Sequence, residues 1–504
     1  MKFNITIYVI GCLSLILFKC NNYPEGIEEV LKLAGNNRIQ IEQAIEHYKD
    51  EKDSLKLKAL YFIIKQLSYY GTLHYRFLNS EKEEIELGNW DYKNPPEALA
   101  YLKKNKLIFH KDSISADIKR ITKDYLVKNI DLTFYAWQNY PWTKELSFKE
   151  LCENILPYKI NGEPLNDWRS FYFEKHKLEL DSLTKVNASS ETVCFWLNDR
   201  YKKKWIKSAS VIPVPYLSYE KIEYLGGGTC DHLAKNAIQL MRACGIPLNL
   251  DVVPLHGRIN GGHTYNSLYQ RDAKKFIFFS PYERDPERRD WRAPRIFRQS
   301  FALHEQPILD IVERKDLPPG LLGSPYYYDV TEQYFPTMDV EVKVKVKSKG
   351  KIAYLCTYSD GEFKSTNIWG IVEKNKATFK NVTKELLYFP MFYFNKVFIN
   401  ASDPFILRDN GSIITLDNKP SKRINIEQVK LRAVNNNITK SGEVYRLLQW
   451  NGNWELLKEQ EADNDQTLYF ENILENGLYL LYGSERLERI QRPFTCLNGQ
   501  VEYW

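Results

Sequence analysis

This 504-residue sequence lacks closely spaced pairs of cysteines. Its eight cysteines are scattered and include no Cys-x-x-Cys pair, the spacing that zinc ribbons and many redox or disulfide motifs use. This absence excludes a zinc ribbon and a small disulfide scaffold. We expect free buried thiols at Cys152 and Cys244, while one or two incidental disulfides stay open as an alternative in an oxidising compartment.

The sequence also lacks a large excess of either positive or negative charge. Lys plus Arg total 70 and Asp plus Glu total 64, which leaves a formal net charge of +6. Without a long basic run, the chain has no electrostatic basis for binding nucleic acid. The glycines at 226–228 are followed by neither a phosphate-loop Gly-Lys-Ser/Thr nor a dinucleotide-binding spacing. The sequence therefore predicts no nucleic-acid partner, no nucleotide and no cofactor.

Long apolar runs are missing except at the N-terminus. Lys2 precedes a nearly unbroken apolar stretch over residues 5–18, and Cys20 follows it. The stretch is too short to span a bilayer comfortably and is typical of a signal-peptide core. Its ending resembles a bacterial lipobox, with Lys19 where a small residue is usual. We expect residues 1–20 to be a signal peptide, Cys20 to carry lipid, and the exported protein to be anchored in the cell envelope at the outer membrane. The alternatives are a plain cleaved signal and an N-terminal membrane anchor.

Three segments follow, and the period of their apolar residues distinguishes them. Residues 21–190 repeat apolar side chains at helical spacing, as in Ile27, Val30 and Leu31, which predicts an α-helical N-terminal domain. Residues 191–320 combine a glycine cluster, one helix and short apolar runs, which predicts an α+β core. Residues 325–504 alternate apolar and charged positions between turn signals. This pattern predicts an all-β region of one sandwich, or of two with a split near 425. The fold class expected is therefore multidomain.

Cys230 is the candidate nucleophile. It follows the glycines at 226–228 and Thr229, and a stripe of apolar residues at helical spacing begins directly after it. Thr229 is a good N-cap residue, so Cys230 should lie in the first turn of a helix. Free backbone N–H groups and the helix dipole favour a thiolate there and can stabilise an oxyanion. Gly228 and Thr229 are candidate substrate-binding residues, because glycine lets a substrate backbone approach closely.

His263 is the candidate proton carrier for that thiol. It follows two glycines and opens a predicted strand over residues 263–269, after another predicted strand over 248–255. The order helix, strand, turn, strand suggests that the strand of His263 lies beside the helix of Cys230. We weighed a zinc site made of Cys230, His232, His256 and His263, since zinc accepts both residue types. We do not favour any metal site, because Cys230 and His232 are two apart on a helix and point to different faces.

Three elements of the chain resemble the transglutaminase-like (papain-type) superfamily. They are Gly228-Thr229-Cys230 at a helix start, Arg-Ala-Cys-Gly-Ile-Pro at 242–247, and Gly262-His263-Thr264-Tyr265-Asn266. The family shows a G-x-C helix, an R-A-x-G-I-P exit and a G-H-x-W-N strand in the same order. This resemblance covers roughly a fifth of the chain. Weaker similarity in the outer segments, including Arg492-Pro493-Phe494, is to transglutaminase-like lipoproteins of Bacteroidota.

The resemblance implies a third catalytic residue, an Asp on the strand after the His that orients the imidazole. Here Ser280 stands at that position, and Glu283 and Asp285 in the following loop are the alternatives. A serine hydroxyl can accept from an imidazole N–H but brings no negative charge, and loss of the carboxylate slows triad enzymes by about 10⁴-fold. Tyr265, a candidate substrate-binding residue, replaces the tryptophan of the family.

The resemblance also implies a function. Cys230 would attack an amide carbonyl of a peptide, protein or glycoprotein, His263 would protonate the leaving amine, and water or an amine would resolve the thioester. Protease or amidase activity is favoured over cross-linking. One alternative is a catalytically decayed lipoprotein that binds glycan or protein at the cell surface, for which Ser280 is the main argument. Another is a structural partner in a cell-surface nutrient system.

Overall fold

The computed structural model describes most of the chain. The described residues are 23–85, 96–97, 100–101, 104, 108–202, 216–271, 274–282, 291–345, 351–416, 422–429, 439, 441–463, 468–483, 492–497 and 500–504. The expected signal peptide with Cys20, and the alternative acids Glu283 and Asp285, lie outside them. Among the described residues, no helix combines the length and apolar character needed to cross a membrane.

Helices dominate the N-terminal part of the chain. Helix α1 buries Ile27, Val30 and Leu31 on one side, as their spacing predicts. The helices are α1 (Ile27–Ala34), α2 (Arg38–His47), α3 (Ser54–Gln66), α4 (Lys123–Asn139), α5 (Pro141–Lys144), α6 (Phe148–Asn154), α7 (Trp168–Lys185) and α8 (Ser190–Lys202).

An antiparallel sheet interrupts these helices, which corrects the expectation of a helical segment over 21–190. Its strands are β1 (Gly71–Leu78), β2 (Glu84–Ile85) and β3 (Ile108–Ala116), in the order β2-β1-β3. Leu73, Tyr75 and Phe77 alternate in β1, and this period of two was the available sequence signal.

A second sheet forms the middle of the molecule. It is antiparallel, in the order β6-β5-β4-β7-β8, with β4 (Leu248–Val253), β5 (His263–Gln270), β6 (Lys275–Phe279), β7 (Phe297–Gln299) and β8 (Tyr327–Asp329). Two helices precede it, α9 (Tyr219–Leu225) and α10 (Cys230–Ala243), and α11 (Thr331–Tyr334) follows it. Because β8 pairs with β7, this sheet extends beyond the boundary that the sequence suggested at 320.

The N-terminal helices and the middle sheet share one hydrophobic core. Trp142 and Tyr172 pack in the same buried cluster as Leu233, Met241 and Leu268. Arg169, fully buried on α7, donates to the carbonyl of Arg242 at the end of α10 at 3.1 Å. The expected boundary at 190 therefore does not separate two cores.

The C-terminal part is rich in β-structure. Its first sheet runs β16-β15-β13-β10-β11-β12-β9, with β14 on β13, a second runs β19-β18-β21-β22-β23, and β17 pairs with β20. Their strands are β9 (Thr337–Lys343), β10 (Ile352–Ser359), β11 (Glu362–Glu373), β12 (Lys376–Thr383), β13 (Leu386–Phe394), β14 (Val397–Asn400), β15 (Phe405–Leu407), β16 (Ile413–Thr415), β17 (Arg423–Val429), β18 (Val444–Trp450), β19 (Trp454–Glu461), β20 (Leu468–Leu474), β21 (Leu478–Tyr482), β22 (Phe494–Leu497) and β23 (Gln500–Tyr503).

The two larger C-terminal sheets pack against each other through a common core. Tyr354 and Phe389 of the first sheet meet Trp450 and Leu480 of the second. The first sheet ends at Thr415 and the next strand begins at Arg423, so the change of sheet lies next to the split considered near 425. The chain as a whole consists of N-terminal helices, a middle sheet and a large β-rich C-terminal region.

Candidate active site around Cys230 and His263

Helix α10 begins with a complete cap, which confirms the N-cap prediction. Thr229 Oγ1 accepts from the backbone N–H of His232 at 3.3 Å, and His232 Nδ1 accepts from the N–H of Thr229 at 3.3 Å. A Cβ on Gly228 would lie 2.8 Å from the Cβ of His232. Gly228 therefore leaves room for the side chain of His232, whether or not a substrate also approaches there. The cap holds Cys230 in the first turn of the helix.

Asn266 fixes strand β5 against helix α10. Its side chain is fully buried, and Nδ2 donates to the carbonyls of Ala234 at 3.1 Å and Asn249 at 3.3 Å. Because side chains alternate along a strand, His263 and Tyr265 lie on the face opposite Asn266. The predicted neighbourhood of the helix and the strand is thus present in the structure, and sequence reasoning missed the residue that creates it.

The sulfur of Cys230 meets the strand at Thr264. The backbone N–H groups of Thr264, Asp231 and Cys230 itself face the thiol and stabilise its thiolate form. Burial has the larger, opposite effect, so the pKa of the Cys230 thiol is raised above its ordinary value. The expectation of a thiolate at rest is therefore not supported.

His263 lies in an aromatic environment. Its ring centroid is 4.5 Å from that of Tyr265 and 6.4 Å from that of His256. Tyr265 in turn stacks on Trp291, with centroids 5.0 Å apart and planes 6° apart. Tyr265 therefore forms one wall beside the imidazole, together with the indole of Trp291 from a later loop.

The structure places Ser280 directly after strand β6. Phe279, the last residue of β6, lies opposite Asn266 in the register. Two residues after Ser280, Tyr282 turns into the core at φ +61°, where its hydroxyl donates to Asn236 Oδ1 at 2.6 Å. The role of Ser280 as the group that orients His263 stays a prediction.

His256 was considered from the sequence only as a zinc ligand. It is buried in the loop between β4 and β5, and its N–H donates to the carbonyl of Gly261 at 2.9 Å. Burial, and then the charges of His263 and Arg492, lower the pKa of His256 to about 4. In the part of the chain that the structure describes, no three His, Cys, Asp or Glu side chains form a metal-binding group.

The C-terminal region holds this loop in place. Arg492 is buried, and its guanidinium donates to the carbonyls of Trp504 at 2.6 Å, Tyr358 at 2.6 Å and Gly257. Asn260 Oδ1 also accepts from the N–H of Asp360 at 3.2 Å. Residues remote in sequence therefore position the backbone that leads into His263. Asp360 lies 100 positions after Asn260, and Arg492 lies 235 positions after Gly257.

We expect the free energy of unfolding to fall by up to about 3 kcal/mol between pH 6.5 and pH 4 because of His256. In that window the unfolded imidazole binds a proton and the buried one does not, so acid favours unfolding. The contribution of neutral His256 to stability is fully present above the pKa of this side chain in the unfolded chain. It is lost as the pH falls towards the pKa of His256 in the folded protein, about 4. Urea unfolding at several pH values measures this slope.

The variant His256→Gln should flatten the pH dependence of the urea midpoint, whatever its effect on stability at neutral pH. The matched control is His47→Gln, because His47 is exposed and should leave the slope unchanged. An equally steep loss of stability in His256→Gln would contradict the assignment of the acid sensitivity to this side chain.

The comparisons with known proteins add no family to this picture. No family model, no characterised protein and no solved structure matches the chain. What can be said about the site therefore depends on its residues and their geometry.

Proposed function

We propose that the protein is a transglutaminase-like thiol enzyme, which hydrolyses or transfers the acyl group of a peptide or protein amide through Cys230. One observation carries this proposal. Among the described cysteines, Cys230 alone is not buried, and it occupies the first turn of a capped helix, beside the strand that His263 opens. A partly exposed thiol at a helix N-terminus is suited to nucleophilic attack and is an unusual site for a packing residue.

The raised pKa of Cys230 favours a base-assisted mechanism. In the resting site the thiol keeps its proton. His263 accepts that proton as the sulfur attacks the carbonyl, and the N–H groups of the first helical turn receive the developing oxyanion. His263 then gives the proton to the leaving amine, and water or a second amine cleaves the thioester.

This mechanism requires the imidazole to come within hydrogen-bond reach of the sulfur when substrate binds. Catalytic hydrogen bonds are often long in unliganded sites and tighten in the substrate complex. His263 is the first residue of β5 and its ring contacts Tyr265, and the next residue, Thr264, supplies the backbone N–H that meets the sulfur. We further propose that the chain is exported and lipidated at Cys20, for which the N-terminal sequence is the support.

A catalytically decayed binding protein is the second candidate. Two observations favour it: burial raises the pKa of Cys230, and a serine, which brings no negative charge, stands at position 280 where the resembled motif has an Asp. Under this alternative the arrangement of helix α10 and strand β5 persists and Cys230 does no chemistry.

We expect an acyl-enzyme burst with p-nitrophenyl acetate that depends on Cys230. Cys230→Ala should abolish the burst, a loss of about 10³-fold or more, and His263→Ala should slow it by about 10²- to 10⁴-fold because the general base is gone. Iodoacetamide should alkylate Cys230 with an apparent pKa no lower than that of an ordinary thiol. Stopped-flow absorbance and mass spectrometry measure the two reactions.

The control Cys152→Ala removes a buried thiol and should leave the burst intact. A burst that survives in Cys230→Ala would refute the nucleophile. An alkylation pKa well below about 8.5 that rises in His263→Ala would replace the neutral pair by a thiolate–imidazolium pair. No burst, with ordinary alkylation that ignores His263, would select the binding protein.

A further inference from the structure

A large cavity in the described part of the structure lies away from Cys230 and His263. It has a volume of about 1060 Å³ and opens between strand β8 of the middle sheet and strands β11 and β12 of the C-terminal sheet. Small-molecule sites in proteins span roughly 300–1,000 Å³. The cavity is therefore large enough for a ligand of several sugar rings, and the candidate thiol site contributes no residue to it.

Aromatic rings form two walls of this cavity. Trp369 on β11 lines the cavity and is only partly exposed, since it also packs against the core between the two C-terminal sheets. Ile371, of which 44% is exposed, lies two positions further along the same strand. Across from them, strand β8 contributes Tyr327 and Tyr328, whose side chains point to opposite faces of the strand, and the ring of Tyr328 lies 4.7 Å from that of His304. Aromatic rings of this kind offer flat apolar faces with polar edges, the combination that covers the C–H face of a sugar ring.

The charged side chains around the cavity largely neutralise one another. Arg295 pairs with Asp329 at 2.5 Å, Lys376 with Glu341 at 2.6 Å, and Lys380 with Asp339 at 2.5 Å. The other charged residues of the lining are of both signs: Glu305, Glu373 and Lys374. A ligand that carried a net charge would find no excess of the opposite sign, so a neutral ligand fits best.

Amide groups supply directional hydrogen bonds at the cavity wall. Asn367 lies in the lining, and its Oδ1 accepts from the N–H groups of Leu321 at 2.8 Å and Leu322 at 3.2 Å, which fixes the orientation of the amide. Thr378 adds an exposed hydroxyl. These groups suit a ligand rich in hydroxyls, which both donate and accept.

An extended peptide is a poorer match for the same space. The edge strand β8 has three residues, and Gln306 Nε2 already covers the carbonyl of Tyr327 at 3.4 Å. Addition of a peptide strand relies on a row of free backbone groups along a sheet edge, and this edge is short and partly occupied.

We propose that the cavity between β8 and strands β11 and β12 binds a neutral oligosaccharide, with a sugar ring on Trp369. This binding site is independent of the thiol chemistry at Cys230, since the two sites share no residue. It gives the C-terminal region a recognition function of its own.

The test uses the full chain and a panel of neutral probes: maltohexaose, cellohexaose, xylohexaose, mannohexaose and chitohexaose. At least one of them should bind by isothermal titration calorimetry and change the tryptophan fluorescence. Trp369→Ala should weaken that binding roughly tenfold or more. Thr378→Arg, which fills the cavity from an exposed position and leaves the core intact, should abolish it, so the result does not depend on how well the Trp369 variant folds.

The controls are Thr378→Ser and Tyr469→Ala, since Tyr469 is an exposed aromatic residue outside the cavity. Both should bind as the unmodified protein does. Absence of binding to every probe at millimolar concentration would overturn the proposal, as would binding that Thr378→Arg does not change. Stronger binding to a sulfated polysaccharide that weakens with added salt would overturn the assignment to a neutral ligand.

Discussion

Replacement of Asp251 by alanine is expected to lower the free energy of unfolding by about 3–5 kcal/mol. Asp251 and Arg298 form an ion pair with side chains 0% and 1% exposed. The carboxylate accepts from Arg298 Nε at 2.7 Å, from its Nη2 at 2.7 Å and from the hydroxyl of Tyr334 at 2.7 Å. Without it, a guanidinium that water cannot reach keeps its charge and loses its partner.

Urea or thermal unfolding followed by circular dichroism measures this loss. The double variant Asp251→Leu with Arg298→Met should recover most of it, because two buried charges are removed together and Arg298 Nη1 has no hydrogen-bond partner among the described residues to lose. Asp339→Ala breaks an exposed ion pair with Lys380 and should cost far less, because surface ion pairs are screened by water and salt. A loss in Asp251→Ala as small as that of Asp339→Ala would contradict the prediction.

The hydrogen bond from Tyr334 to this buried pair crosses the domain boundary expected at 320–325. Asp251 lies on β4, Arg298 on β7 and Tyr334 on α11, so a residue expected in the C-terminal region completes the polar core of the middle sheet. The sequence Pro318-Pro319-Gly320 predicts a turn. A turn does not reveal which sheet the following strand joins. That choice is made by partners that are remote in sequence.

Local signals were read correctly at the candidate site. The N-cap at Thr229, the first-turn position of Cys230 and the strand that begins at His263 each depend on a few neighbouring residues, which the sequence displays directly. The end of helix α10 depends both on a local backbone conformation and on a contact with a residue that is remote in sequence. Gly245 has φ +75°, a conformation that favours glycine, and a Cβ there would also lie 2.4 Å from Thr143 Oγ1.

The surroundings of His263 could not be predicted in the same way. His256 lies beside it, with ring centroids 6.4 Å apart. His256 in turn contacts Trp291 and is affected by the charge of Arg492, and no periodicity or spacing relates these residues. The family resemblance supplied a position for a third catalytic residue, but the register of β5 with β6 sets Ser280 beyond the last paired residue, near Tyr265. The sequence gives the position of Ser280 along the chain, but only the three-dimensional structure shows which side chains contact each other.

Arg492→Met is expected to lower the free energy of unfolding by about 3 kcal/mol or more, since its guanidinium serves three buried carbonyls and each unsatisfied group costs about 1–3 kcal/mol. It should also raise the pKa of His256, because a positive charge that lowers that pKa is removed. Urea unfolding gives the first effect, and NMR titration of the histidines gives the second.

The control is Arg423→Met, whose guanidinium makes an exposed hydrogen bond to the carbonyl of Asn472 at 2.7 Å and should cost under about 1 kcal/mol. If Arg492 positions the loop before His263, the burst at Cys230 should slow in Arg492→Met under conditions where the variant is still folded. A folded variant with an unchanged burst and an unchanged His256 pKa would mean that the loop keeps its position without the C-terminal region. The long-range contacts of Arg492 would then serve stability alone, and the site would be built entirely by the middle sheet and helix α10.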